Sequence, residues 1–481
     1  MIGIDMRVLL VKPKARLRTI LGLEAFQRLE PIELGYIAAV VRKPHTVEVL
    51  DLRLARRPVR AFRACLHRFR PDVVGFTSYT HEASLVKQLA RATRGCLPGA
   101  FVVVGGHHAT VAPSDFNTPE IDAIVRGEGC GPFSQILDSL EGGDPPDGIP
   151  DVLMTGDRYN LQAAAVWPQF PDPAGLPKPR RDLWQPERYR SVWACEGMAP
   201  WERLFPPVSL VRASWGCRMK CSFCVVPFLC GGEHRPRPAA VVAEEIAHTP
   251  TEHIYFCDDE NFIDEDFAWE LAEAIAGLGI HKRYFAWTRA TTVNRSPELF
   301  KRWREIGLDS AFLGFEFTND AQLKQYRKGG SVIHNEKALD TLRGVGVAVH
   351  AAFMVQPEYT ETDFQELRDY VDRLPPAQSS FTVCTPSPGT PDYREAEPRI
   401  WIDNAFDLHD CMHPITPTEL PLRRFATLLA EQAVAGVRRT PLRQHRHPLV
   451  PADLWKVWRA EGRYRRGFQR LYEDYPRDLW D

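Results

Sequence analysis

Cys217-Arg218-Met219-Lys220-Cys221-Ser222-Phe223-Cys224 decides how this chain is read. The octapeptide stands just beyond a β-rich run at 208–213 and spaces three cysteines as C-x₃-C-x₂-C. Three thiolates so spaced can face one cubane cluster, each holding one iron. A [4Fe–4S] cluster held by only three cysteines keeps its fourth iron open to an outside ligand. The competing readings are a zinc site completed by Cys230 or His234, and three unrelated core cysteines. Zinc sites usually pair two C-x₂-C units, and only one occurs at this loop. Unrelated core cysteines would not share a polar loop with Arg218 and Lys220. Eleven cysteines in 481 residues are too sparse for a disulfide scaffold and fit reduced thiols better.

Outward from the cysteines, strand-like runs recur at 253–257, 284–288, 310–316, 348–355 and 380–384. Helical stretches at 240–248, 265–278, 297–306 and 360–374 fall between them. With 208–213 this makes six β/α repeats and predicts an open or partial (β/α)₆ barrel of TIM type, with its chemistry at the carboxyl ends of the strands. Asp258-Asp259-Glu260, Arg289 and Glu316 stand at those ends. They bind a ligand there or pair with one another as rim charges. For Glu316 the otherwise apolar run 311–315 favours function.

The amino-terminal part alternates in the same way. Strands are expected at 7–11, 47–50, 73–78, 100–104 and 123–125, and helices at 33–41, 57–67 and 82–94. Short apolar strands between amphipathic helices mean a parallel sheet covered on both faces, a doubly wound Rossmann-like α/β domain. Its ligands bind at the carboxyl ends of the strands. The residues there are Lys12-Pro13, Asp51, Thr77-Ser78-Tyr79-Thr80, Gly105-Gly106-His107 and Arg126-Gly127-Glu128-Gly129. Glycines and small hydroxyl residues admit a bulky ligand close to the backbone, or simply make tight turns. No Gly-x-Gly-x-x-Gly follows the first strand, so a dinucleotide is not indicated.

Length and charge bound the rest. At about 150 residues per domain the chain holds roughly three, placed at 1–140, 208–395 and 396–481 with a Pro-rich linker or cover at 141–207. Lys plus Arg is 60 and Asp plus Glu 62, and a net charge of −2 argues against coating nucleic acid. No run approaches 18 apolar residues, so no membrane span is expected. The apolar stretch 8–11 is too short for a signal peptide core, and a cytoplasmic protein is expected.

The cysteine motif at the end of a first barrel strand resembles the signature of radical S-adenosylmethionine enzymes. The first domain resembles the cobalamin-binding domain fused ahead of many such barrels. The matching stretches are 33–40, 73–78, 102–107 and 125–129, with Arg180-Arg181-Asp182-Leu183 and Pro386-Ser387-Pro388-Gly389-Thr390 also similar. The resemblance covers about residues 6–395. It implies that Cys217, Cys221 and Cys224 hold a [4Fe–4S] cluster whose open iron chelates S-adenosylmethionine. Phe223, Glu260, Arg289 and Glu316 would serve that ligand, a carboxylate taking ribose hydroxyls or the ammonium and the arginine its carboxylate. It also implies cobalamin on Asp51, Thr77, Ser78, Tyr79, Thr80, Gly105, Gly106, His107, Gly127 and Glu128. No Asp-x-His-x-x-Gly occurs, so base-off cobalamin without a histidine ligand is expected. Gln356-Pro357-Glu358 departs from the Gly-x-Pro-Gly that relatives often carry.

The implied activity is methyl transfer to an unactivated carbon of a small natural-product or lipid substrate, by way of a 5′-deoxyadenosyl radical and methylcobalamin. A flavodoxin- or ferredoxin-type electron donor is implied as well. The alternatives are cyclisation or rearrangement with the same cofactors, and a zinc-stabilised binding protein. A tRNA methylthiotransferase would need a second cysteine triad, whereas Cys65, Cys96 and Cys130 are scattered. From Arg438 onward eleven Lys/Arg face six Asp/Glu, interleaved with Trp455, Trp458, Tyr464, Phe468, Tyr472, Tyr475 and Trp480. That tail could stack nucleobases or hold an acidic substrate, or form a helical cap with its aromatics turned inward. His409 and His413 could lie near a substrate or be ordinary hydrogen-bonded residues.

Overall fold

The computed structural model describes residues 5–193, 195, 204–375, 377–402, 405–439 and 451–480, and only the backbone of 451–454. Two compact units divide the chain. The first comprises Met1–Ala15, Pro31–Gln185 and Phe228–Gly231, and the second Arg16–Glu30, Pro186–Pro227 and Gly232–Asp481.

In the first unit β1 (Arg7–Lys12), β2 (Thr46–Asp51), β3 (Val73–Thr77), β4 (Phe101–Gly105), β5 (Ala123–Val125) and β6 (Val152–Met154) form one sheet in the order β2-β1-β3-β4-β5-β6. Alternation along β1 sends Leu9 and Val11 to one face and Val8 and Leu10 to the other. The first face packs on helices Pro58–Phe69 and Ala83–Cys96 through Phe62, Leu66, Val86 and Leu89. The second packs on Ile32–Ala39 and Cys130–Gly142 through Leu34, Ala38, Phe133 and Ile136. Each such leucine, isoleucine, valine or phenylalanine contributes about 1.5–3 kcal/mol when fully buried. This is the doubly wound sheet expected, with one correction: β6 runs antiparallel to β5, with Ile124 opposite Leu153. This three-residue strand ends the row, and the helix Cys130–Gly142 with the loop after it brings the chain back to the end of β5 that it left, Val152 opposite Val125. The order reverses between β1 and β3, a switch point where such sheets bind ligands.

The second unit carries six parallel strands in sequential order: β7 (Val208–Val211), β8 (His253–Phe256), β9 (Arg283–Thr288), β10 (Leu308–Glu316), β11 (Ala348–Val355) and β12 (Gln378–Val383). β7 and β12 are not paired, so the barrel is open. Helices Ala239–Ala247, Glu265–Gly277, Pro297–Glu305, Val332–Gly344 and Glu361–Arg373 cover the side where Ala286, Leu313, Phe353 and Phe381 are buried. The helix Val332–Gly344 has no counterpart in the sequence reading. Its apolar stripe is thin, with Ala338, Leu339 and Leu342 buried and Ile333 exposed.

Helix Arg18–Leu23 belongs to this unit and crosses the terminal helix Pro451–Gln469 at backbone contact. A Cβ on Gly22 would stand 2.9 Å from Tyr464 Cα, and one on Gly467 2.7 Å from Arg18 O. Asp410 lies beneath. It accepts from the Thr19 hydroxyl and the His413 N–H, and pairs with His413 Nδ1 at 2.9 Å, while Asp474 stands 3.4 Å from Nε2. Of the two readings for His413, the structure takes the ordinary one: a fully buried pin between chain segments. Burial alone would lower its pKa, but Asp410 and then Asp474 raise it to about 9. A histidine titrating near 6.5 when unfolded then contributes fully below that pH and loses its contribution as pH rises through 9. Thermal unfolding should show about 3 kcal/mol lost over that window, and His413→Gln should flatten the slope.

Candidate functional site

The cysteine loop lies between β7 and the helix Ala239–Ala247, at the carboxyl end of the sheet. Gly216, at φ +84°, turns the chain into it, and its N–H donates to Asp259 at 2.8 Å. Asp258 anchors the approach, accepting from the Ser214 hydroxyl at 2.6 Å and the Ala213 N–H at 3.1 Å. Its carboxyl is pushed up to about 6 by burial, against those bonds. Of the two readings for Asp258, this geometry makes it a builder of the loop.

Cys217 and Cys221 are buried and Cys224 is half-buried, all three as free thiols. Burial raises Cys217 and pushes Cys224 up to about 12, so metal binding at these sulfurs has to displace protons. Among the described residues no three His, Cys, Asp or Glu side chains converge on one ion. Three cysteines each serving a different iron of a cubane need no such convergence, whereas a tetrahedral zinc does. The three cysteines of one C-x₃-C-x₂-C loop thus fit such a cluster.

A segment that sequence reasoning missed, 326–330, laces the loop to two strand ends. The Ser222 N–H donates to Tyr326 O at 3.0 Å, and Arg289 donates through Nη2 to Lys328 O and through Nη1 to Cys221 Sγ at 3.4 Å. Lys328 Nζ meets Glu316 at 2.5 Å, with both side chains nearly buried. Gly329 and Gly330, at φ +73° and +79°, let this segment pass over Arg289 and Met219. The Gly-Gly pair after a lysine was the available signal. Glu316 has φ +64° and follows a register shift, Gly314 pairing with Ala352 and Glu316 with Phe353. Such a conformation costs a non-glycine residue about 1–3 kcal/mol and marks sites the surroundings over-determine.

Glu260 lies in the loop that follows β8, four residues beyond Phe256, and is buried to 1% exposure. The Thr288 hydroxyl donates to one of its oxygens at 3.1 Å, and the other oxygen is unpartnered among the described residues. Burial pushes its carboxyl up to about 7. Such an orphaned oxygen calls for a donor from outside the protein. Phe223 sits against Tyr326 at 6.1 Å, and Tyr326 stacks on Phe317 at 4.8 Å. The ring thus packs the cysteine loop onto the barrel. The Tyr326 hydroxyl accepts from Gln356 at 3.1 Å, which gives that departure from the family pattern a bonding role.

In the first unit the candidates stand at the switch point. Lys12, at the end of β1, is buried, paired with Glu33 at 3.0 Å, and lies 4.6 Å from the ring centroid of Tyr79. Burial alone would lower its pKa, but Glu33 and Glu82 outweigh it and the ammonium stays charged. Tyr79 is half exposed, with His81 at 6.1 Å and His107 at 5.9 Å from its ring. Burial lowers His107 to about 4, and His108 and His81 add to the effect, so its imidazole is neutral near pH 7.

The other residues of that group are engaged within the fold. Asp51 holds Arg53 at 2.6 Å, Glu128 accepts the Cys130 N–H at 3.0 Å, and the Gly127 N–H donates to Thr110 at 2.9 Å. Ser78 donates to Tyr79 O at 2.9 Å, Thr77 and Thr80 are buried, and Gly105 O accepts the Ser78 N–H at 3.0 Å. Gly106, at φ +96°, is required by neighbouring backbone: an added Cβ would lie 2.9 Å from Ser78 N. Gly106→Ala should therefore cost about 1–3 kcal/mol, checked by denaturant unfolding.

Two family models match the chain. The B12 binding domain covers residues 18–137 and the Radical SAM superfamily 213–371. Hopanoid C-3 methylase of Methylococcus capsulatus is 29% identical over 87% of this chain and 78% of that protein. Anaerobic magnesium-protoporphyrin IX monomethyl ester cyclase of Synechocystis is 27% identical over 64% of this chain and 58% of the relative. The structure of the cobalamin-dependent S-adenosylmethionine radical enzyme OxsB, with aqua-cobalamin and S-adenosylmethionine bound, matches at TM-score 0.60 and 18% identity. It is matched over 84% of this chain, which spans 56% of its length, and the likeness carries the fold alone.

Proposed function

This chain is a radical S-adenosylmethionine enzyme with a B12-binding domain, and on that premise we propose that it transfers a methyl group to an unactivated carbon of a small natural-product or lipid molecule. The observation that carries the reading is the gathering of Cys221, Arg289, Lys328 and Glu316 around a three-cysteine loop, in a chain that also carries the B12-binding unit. When bound, the cluster with S-adenosylmethionine and the cobalamin supply hydrogen abstraction and methyl carriage. Cys217, Cys221 and Cys224 would hold the irons, and Arg289 would lie against the anionic sulfur of Cys221. Glu260 and Glu316 would receive the ammonium and ribose hydroxyls of S-adenosylmethionine. Tyr79 and His107 would meet the corrin, with Lys12 held beneath Tyr79. An external one-electron donor would serve the cluster.

The cyclase relative supports a second reading, ring formation without net methylation. Product mass separates the two on protein purified anaerobically with hydroxocobalamin supplied. Methylation adds one CH₂ unit to substrate and releases both S-adenosylhomocysteine and 5′-deoxyadenosine. Cobalt-loaded protein that makes 5′-deoxyadenosine but no S-adenosylhomocysteine would overturn methyl transfer in favour of the cyclase reading.

A further inference from the structure

The carboxyl-terminal basic and aromatic residues have no part in that chemistry, and the structure splits them. Tyr464, Phe468 and Tyr475 are buried in the core of the second unit, as a helical cap would have them. Trp455 and Trp458 are 56% and 73% exposed. They lie one turn apart on the helix Pro451–Gln469, on the face opposite Ala460, Tyr464 and Phe468. Lys456, Arg459, Arg463, Arg465 and Arg466 are exposed on that same outer arc, with Arg459 at 4.4 Å over the Trp455 ring. Among the described side chains of this helix Glu461 is the one acid, and it pairs with Arg438 at 2.8 Å.

We propose that this outer face is a docking surface for an anionic lipid bilayer. Indoles favour the headgroup level of a membrane, where an apolar ring and a polar N–H are both satisfied. Arginines beside them complement anionic headgroups while their stems lie along apolar surface. Exposed tryptophans have no such use in water, where each leaves a large apolar surface hydrated. Nucleic acid is the less suited occupant, because Arg459 already lies over the Trp455 ring on which a base would have to stack. No described helix is long and apolar enough to cross a membrane.

The test uses the cofactor-loaded full chain and vesicles of equimolar phosphatidylcholine and phosphatidylglycerol, with phosphatidylcholine vesicles and a mixed-sequence single-stranded RNA as comparisons. The protein should sediment with the anionic vesicles at low salt and be released as salt shortens the screening length. Brominated lipid should quench part of its tryptophan fluorescence. Arg459→Glu/Arg463→Glu/Arg466→Glu should weaken binding roughly a hundredfold. Trp455→Ala/Trp458→Ala should abolish the quenching and weaken binding about tenfold. All five side chains are exposed, so both variants should keep the parent melting temperature. Failure to sediment, equal binding to both vesicle types, preference for RNA, or quenching that survives the tryptophan variant would overturn the proposal. None of these readouts requires turnover, so their failure leaves the methyl-transfer reading standing.

Discussion

Alanine at Cys217, Cys221 and Cys224 together is expected to strip the chain of its iron, from about four per chain to none, and to end S-adenosylmethionine cleavage. The physical basis is the count of donors. Three thiolates on one loop are the cluster's whole protein ligation in this reading, and among the described residues no other group of three His, Cys, Asp or Glu side chains is placed to hold a metal ion. The loop's hold on the barrel does not pass through the sulfurs alone. Asp258, Asp259 and the Ser222 N–H bond to Tyr326 anchor it independently. Circular dichroism should therefore remain that of the parent while iron, sulfide and the cluster absorption vanish. Cobalt uptake should be unchanged, because the residues proposed to meet the corrin lie on a separate sheet. Iron retained in the triple variant would remove the cysteines from the site.

The second large effect is expected at Glu316. Glu316→Ala should weaken S-adenosylmethionine binding about 10- to 100-fold, the loss of one charged hydrogen-bonding partner at about 1.5–3 kcal/mol. Calorimetric titration of cluster-loaded protein measures it, and iron content should stay at the parent value. Lys328→Met makes the complementary test. It leaves a nearly buried carboxylate without its ammonium, which costs about 3–5 kcal/mol and should appear as a lowered melting temperature. If Glu316→Ala binds S-adenosylmethionine at parent affinity while Lys328→Met melts early, the pair is structural and Glu316 leaves the ligand site.

These two predictions differ in how far the sequence carries them. The cysteine motif reads locally. Its spacing states the donors and their order, and an eight-residue loop needs no distant contact to be recognised. Strand and helix positions were legible for the same reason, since burial on both sheet faces leaves continuous apolar runs such as Val8–Val11 and Val102–Val104 in the chain itself. The helix Val332–Gly344 escaped because its stripe is too thin to stand out against Ile333 on the wrong side.

Sequence by itself therefore determined the class of cofactor chemistry, the alternation of elements and the strand ends where ligands belong. Tertiary structure alone decided which of the strand-end residues are available. Asp51, Gly106, Glu128 and Asp258 turned out to be engaged in building turns, while Lys328, absent from the sequence reading, joined Glu316 across twelve residues of chain. It also separated the buried aromatics of the last helix from Trp455 and Trp458 on its surface. The reason is physical. Donor type and periodicity are properties of neighbouring residues. Whether a carboxylate keeps an oxygen without a partner, as Glu260 does among the described residues, depends on groups that only folding brings within hydrogen-bond distance.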